Sequence, residues 1–200
     1  MIAIAQCSNI KLQKAFTLLE LMVSLAVVAI IMTLGIPSLL DTLVTNRVNT
    51  AIVSLNKDII SARNFAVSYE NNVTICHLNS SKQCDKNWSQ GYSIFIDTNA
   101  NNIFDAADDQ ILLNRNQINS KDTLIFTDGN SVQFSFDGTV LTQFSDENLA
   151  AFKYCPNVAD SENYARAVML NLSGRPRTSK DIDNDNKDEL NGNNDHITCS

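Results

Sequence analysis

The sequence predicts an α+β protein in which one long N-terminal helix lies against an antiparallel β-sheet head. Three observations predict it. Residues 21–40 contain no charged side chain. Beyond them Val44, Val48, Ile52, Leu55, Ile59, Ala62, Ala66 and Tyr69 recur at spacings of three and four. After Asn72 the pattern turns to short β-like runs separated by turn residues.

The apolar run comes first. Twenty helical residues rise about 30 Å, the thickness of a bilayer's hydrocarbon core. With 200 residues in all, the chain suits one modest domain plus such an anchor, not two independent cores. The three-four spacing that follows is an amphipathic helix with one face available to a sheet, and Asn71-Asn72 should end it. Between the halves, Pro37 lacks a donor, so a kink or loosening is expected around Gly35–Pro37.

Eight strands are predicted in the head: 73–77, 92–97, 110–114, 124–127, 132–136, 139–144, 152–155 and 167–172. Asp137-Gly138 marks a hairpin and Asp128-Gly129 another turn. The expected organisation is leader 1–15, membrane or filament-core helix 16–40, amphipathic helix 41–71, head 72–177 and an acidic, loosely ordered tail 178–200.

Net charge is -7, which argues against a general binder of nucleic acid or anionic membranes. Loss of residues 1–15 takes Lys11 and Lys14, leaving 13 basic against 22 acidic residues, or -9. Contact with nucleic acid must then come from a local basic cluster. Of five cysteines, Cys7 precedes the apolar run while Cys76, Cys84, Cys155 and Cys199 follow it. An even set beyond an anchor points to disulfides in an oxidising space. Three connectivities are possible, of which Cys76–Cys84 with Cys155–Cys199 is favoured, each contributing roughly 2–4 kcal/mol. A zinc site would need His77 or His196, and no close CxxC pair supports it.

An ordinary secretory signal has its apolar region before the cleavage site. Here the small residue, Ala15, directly follows Lys14 and precedes the apolar region. Cleavage before Phe16 would remove a polar leader, held in the cytoplasm by its lysines, and keep the helix. A lipoprotein reading through Cys7 fails, because Gln6 precedes the cysteine without an adequate apolar region. Glu20 is the oddity. A carboxylate costs about 2.5–3.5 kcal/mol at a bilayer's centre, less near its interface. Its partner would be the Phe16 amine, one helical turn away or on a neighbouring subunit. A simpler role is a helix-start carboxylate favoured by the dipole.

Phe16-Thr17-Leu18-Leu19-Glu20 resembles the class III prepilin signature, as does the Gly35-Ile36-Pro37 break. The departure is Ala15, where the family carries Gly. The resemblance implies a prepilin peptidase that cuts after Ala15 and methylates Phe16. The head resembles the FimT/GspH group of minor pilins and pseudopilins. The matching residues are Ala62-Arg63 with Ala66, Val73-Thr74-Ile75-Cys76, Trp88-Ser89-Gln90-Gly91-Tyr92, Phe95-Ile96-Asp97 and Gly174-Arg175-Pro176-Arg177. That group implies a pilin-like fold and, as partners, major and minor pilins and an inner-membrane assembly platform. It also implies an inner-membrane anchor with a periplasmic head before assembly, and a pilus at the cell surface afterwards.

Gly174-Arg175-Pro176-Arg177 matches a GRxR pattern that some FimT-like pilins carry where they bind double-stranded DNA in natural transformation. Pro176 keeps the segment extended, so Arg175 and Arg177 could grip successive phosphates, with Lys180 and Arg166 extending the patch. The alternative is a strand-end turn with solvated arginines. Asp97, Asn99, Asn101, Asp105 and Asp108 occupy positions one, three, five, nine and twelve of a calcium loop, with Asn102 where glycine is usual. The alternative is a polar loop whose side chains cap its own turns. A second acidic run, Asp181 to Glu189, alternates similarly, a solvated tail being the default. No nucleophile arrangement or phosphate-binding glycine loop is present, so no enzyme is expected.

The expectation is a FimT-like minor pilin near the tip of a pilus, with DNA capture as the further role that the GRxR resemblance implies. The rivals are a GspH-like pseudopilin of a type II secretion system and a membrane-anchored calcium-binding module.

Overall fold

A single helix, α1, runs from Leu18 to Tyr69 in the computed structural model, which describes residues 16–145, 149–192 and 195–199. Ala15 and the leader 1–15 lie outside the described residues. The chain divides into two units, Met1–Thr42 and Leu43–Ser200, and α1 contributes to both.

In the first unit, Thr17 opens the helix. Its carbonyl accepts the Leu21 N–H at 3.2 Å and its hydroxyl the Glu20 N–H, also at 3.2 Å. That is half of a Thr-x-x-Glu capping box. The surface beyond is greasy all round: Leu18, Leu21, Met22, Leu25, Ile30 and Ile31 are each more than half exposed. The few hydroxyls do not interrupt it. Ser24 donates to the Leu21 carbonyl and Thr33 to that of Ile30, both at 2.8 Å, so neither needs water. The loosening expected at Gly35–Pro37 does not break the element: α1 is helical throughout. Pro37 removes one donor, and the turns on either side sustain the ladder.

In the second unit, Val48, Ile52, Leu55, Ile59, Ala62 and Ala66 form the buried stripe of α1, as their spacing predicts. The helix ends when Glu70 takes a left-handed φ of 51°, letting Asn71 N–H reach the Ala66 carbonyl at 3.2 Å. Two antiparallel sheets follow instead of the single sheet expected. The first comprises β1 (Val73–Leu78), β2 (Cys84–Asp85), β3 (Gly91–Ile96), β4 (Gln110–Asn116) and β6 (Ser131–Phe134). Within it β1 lies between β3 and β6, and β2 pairs with the end of β1. The second sheet has the order β5 (Thr123–Phe126), β7 (Leu149–Cys155), β8 (Arg166–Asn171), β9 (Pro176–Thr178). Trp88, on a short 3-10 turn, packs edge-on against Phe152 of the second sheet with ring centres 4.9 Å apart, and Phe152 stacks on Phe126 at 4.4 Å.

The strand expected at 139–144 is absent. The Asp137-Gly138 turn forms, with Ser135 N–H donating to the Thr139 carbonyl at 2.8 Å. Pairing back to β6 stops at the Val140–Phe134 bridge and the Leu141 N–H bond to the Gln133 carbonyl at 2.8 Å, while the Val140 N–H goes to the Leu172 carbonyl at 2.9 Å. The return arm thus links the two sheets. The tail also differs from expectation. Glu189 bridges both Lys180 and His196, and Asp188, Glu189 and Ile197 are buried. Ile197 packs with Cys155, Ala165 and Ala167 in a small core of its own. Cys76–Cys84 and Cys155–Cys199 are disulfides, with Cα atoms 5.5 and 5.8 Å apart. The second spans 44 residues, so it removes more unfolded-chain entropy than the first, which spans 8.

Candidate functional site

Phe16 and Glu20 stand at the start of α1, both exposed, with Phe16 at 81%. The helix start places the Glu20 backbone one turn from Thr17, and its carboxylate sits in the first turn where the helix dipole favours it. The cleavage residue Ala15 lies outside the described residues.

Arg175 and Arg177 flank Pro176 at the start of β9, the outer strand of the second sheet. Two residues apart on an extended strand, they share one face. They line one shallow hollow with Leu149, Met169 and Asn171. Arg175 is exposed. Arg177 reaches across to the tail, donating to Asn191 Oδ1 at 3.0 Å and to the Leu190 carbonyl at 3.4 Å. Lys180 is exposed three residues on. Arg166 does not join them, because its guanidinium pairs with Asp188 at 3.3 Å and donates to the Ala165 carbonyl at 2.8 Å.

Gly174 has a structural reason of its own. Its φ is +73°, and a Cβ there would lie 2.2 Å from the Gly138 carbonyl oxygen. The same carbonyl accepts Arg63 Nε at 3.0 Å. Three separate sequence landmarks, Arg63, Gly138 and Gly174, therefore meet at one point beneath the arginine edge.

The expected calcium loop folds as a self-capping loop. Asp97 is fully buried, and its carboxylate accepts Asn101 N–H, Asn102 N–H, the Thr74 hydroxyl and Gln133 Nε2, at 2.8–3.1 Å. Asn99 Oδ1 accepts Asn101 N–H, Asn101 Oδ1 accepts Ile103 N–H and Asp105 Oδ1 accepts Ala107 N–H. Asn102 takes the left-handed conformation, with φ 60°. Among the described residues, Asp97, Asp105 and Asp108 are not gathered into a cluster of carboxylates; that arrangement occurs in the tail, at Asp183, Asp185, Glu189 and His196. The loop's own backbone donors draw on the same oxygens that a cation would use.

Two carboxylates that the sequence reading did not single out tie the second half of α1 to the sheets. Asp58 is buried and accepts two hydrogen bonds from Arg115, at 2.7 and 2.8 Å, and one from the Tyr92 hydroxyl at 2.6 Å. Asp122 pairs with Arg47 of α1 at 2.8 Å and accepts the Tyr154 hydroxyl at 2.8 Å and Asn157 N–H at 3.0 Å. Burial, and then the bond to its aspartate, raises the pKa of each phenol well above the ordinary range. A raised folded pKa gives stability that is complete below the unfolded value, about 10, and is lost as pH climbs past it. Stability should therefore fall above about pH 10, and less steeply with Tyr92→Phe and Tyr154→Phe together. Denaturant melts at neutral and alkaline pH measure the two slopes, and identical slopes would refute the assignment.

An apolar N-terminal helix whose second half packs on an antiparallel, disulfide-closed head defines the type IV pilin class of filament subunit. A family model described as Type II transport protein GspH matches residues 51–174, and one described as the prokaryotic N-terminal methylation motif matches residues 10–36. The chain belongs to the GspH family, and is a type IV minor pilin or pseudopilin. Such proteins are structural subunits, and the apolar helix and family together mark a membrane-anchored pilin.

The fold is that of the type IV minor pilin FimU of Pseudomonas aeruginosa strain PAO1. A crystal structure of FimU in space group P21 matches with a TM-score of 0.52 and 20% identity, covering 68% of this chain and 90% of that one. A second FimU structure, in space group P65, matches at 0.46 and 19% identity, covering 66% and 92%. No curated protein matches the chain.

Proposed function

We propose that the chain is a minor subunit of a type IV pilus, placed near its tip, and that its arginine edge contacts DNA. Its leader 1–15 is removed by prepilin peptidase after Ala15, and the amine of Phe16 is methylated. It waits in the inner membrane with its head in the periplasm until the assembly platform extracts it into a filament of major and minor pilins. The observation that carries this reading is the Phe16–Glu20 segment at the head of a helix greasy on all sides. Such a surface needs lipid before assembly and neighbouring helices afterwards. Shearing filaments from cells tests the reading. The subunit should appear in the sheared fraction, at a small fraction of the major pilin.

A pseudopilin of a type II secretion system is the second reading, favoured by the description of the matching family. In that case the chain stays with the cell envelope when surface filaments are sheared away, and its deletion blocks secretion of folded proteins.

DNA contact rests on Arg175 and Arg177 sharing a face, while Lys180, exposed three residues on, lines a separate hollow with Thr178. Two or three phosphate contacts give sequence-blind binding with a salt slope of about -2 to -3. Several copies along or at the end of a filament would supply avidity. Arg175→Ala with Arg177→Ala should reduce DNA affinity at least tenfold in fluorescence anisotropy at low salt, with only a small drop in melting temperature from the two exposed hydrogen bonds that Arg177 gives the tail. Unchanged affinity would refute the contact.

A further inference from the structure

The acidic tail closes around a point where four ligand atoms converge, and among the described residues no Lys or Arg forms an ion pair with them. Asp183, Asp185, Glu189 and His196 each offer one such atom, all within 4.8 Å of one another. His196 Nε2 lies 3.2 Å from Asp185 Oδ2, 3.3 Å from Glu189 Oε1 and 3.9 Å from Asp183 Oδ2.

Glu189 is decisive. Its side chain is fully buried, its Oε2 accepts Ile182 N–H at 2.6 Å, and its Oε1 faces the cluster with no hydrogen-bond partner. His196 Nε2 is buried and equally without one. An ionised oxygen in that position is costly unless a cation offsets it. The nearby cations point elsewhere: Arg166 pairs with Asp188 and Lys187 with Glu162.

Each carboxylate is also held in place by its other oxygen. Asp183 Oδ1 accepts Asp185 N–H at 3.2 Å and Asp185 Oδ1 accepts Lys187 N–H at 2.9 Å, as Glu189 Oε2 does from Ile182. One oxygen of each group is fixed to backbone and the other is turned to the shared point. Metal-binding carboxylates are oriented in this way by a surrounding layer of hydrogen bonds.

We propose that these four residues bind a divalent transition ion of the zinc and manganese class. Calcium takes oxygen ligands only, whereas an imidazole nitrogen among carboxylates suits transition ions. Ligands at about 2.0–2.1 Å from a tetrahedral zinc ion stand about 3.3 Å from one another. The two shortest distances to His196 Nε2, 3.2 and 3.3 Å, match that edge. The ion would close the loop 181–189 onto the segment carrying His196 and Cys199, stapling the tail a second time beside the Cys155–Cys199 disulfide.

The test uses the full chain in detergent, with Cys7→Ser to remove a competing thiol, stripped with chelator and titrated separately with zinc, manganese and calcium. One equivalent of zinc or manganese should bind and raise the melting temperature, and His196→Gln should weaken that binding at least tenfold. Asp185→Asn, at a partly exposed position, should weaken it similarly while leaving the chelated protein's melting temperature unchanged. Calcium binding insensitive to His196→Gln would overturn the assignment, as would binding by neither class or substoichiometric binding that both variants retain.

Discussion

Glu20→Gln should leave the head folded and remove the subunit from filaments. Before assembly Glu20 lies in the first turn of α1, where the Thr17 hydroxyl caps its N–H, so neutralising it does not disturb the helix. The loss arises on assembly. On the proposed reading, helices such as residues 16–40 bundle, and the amine that cleavage after Ala15 would create on Phe16 then enters apolar surroundings and needs an anion. An unpaired charge there costs roughly 2.5–3.5 kcal/mol, about a hundredfold or more in equilibrium constant. Filament incorporation, measured by immunoblotting sheared pili against the whole-cell level, should therefore fall by at least tenfold. Normal incorporation of the neutral variant would remove the electrostatic role of Glu20.

Asp122→Ala carries the largest expected effect within the head. The Asp122 side chain is fully buried and satisfies three elements together: Arg47 on α1, the Tyr154 hydroxyl on β7 and the backbone N–H of Asn157 beyond it. Its removal leaves a phenol and an amide without an acceptor and deletes the ion pair that ties Arg47 of α1 to the segment before β5. Breaking one side of a buried ionic network costs about 3–5 kcal/mol. For a unit of this size that corresponds to roughly 6–20 °C in melting temperature. Asp137→Ala makes a fair control, because Asp137 is exposed and only orders its own turn through Thr139. Differential scanning calorimetry of both variants measures the contrast. Equal, small shifts would show that α1 does not depend on this anchor.

The three-four spacing of α1 was readable because the stripe from Val48 to Ala66 is one continuous seam. Strands β1, β3, β4, β5, β6, β7 and β8 were legible for a similar reason, each being a local run with apolar positions. The division into two sheets was not legible. It depends on β6 pairing with β1 and β5 with β7, contacts such as Ile75–Val132 and Phe126–Phe152 between distant residues that no local pattern encodes. Strand β9 was hidden because Pro176 and two arginines read as a turn, although an outer strand tolerates both.

The polar sites divide the same way. Asp97 matched a calcium spacing, yet its partners Thr74 and Gln133 come from β1 and β6, which spacing alone could not bring near. Asp58 carried a signal that passed unnoticed: it sits between Leu55 and Ile59 on the buried side of α1, where a carboxylate demands partners. His196 had no neighbour in sequence to suggest a ligand role. Only the return of the tail, held by Cys199, sets it opposite Asp183, Asp185 and Glu189.

Mass spectrometry of the protein isolated from its own membrane or filaments tests most directly whether the helix of residues 16–40 is an assembly element released by prepilin peptidase. The N-terminal peptide should begin at Phe16 and carry one additional methyl group on its amine. A peptide that still begins at Met1 in assembled material would contradict it.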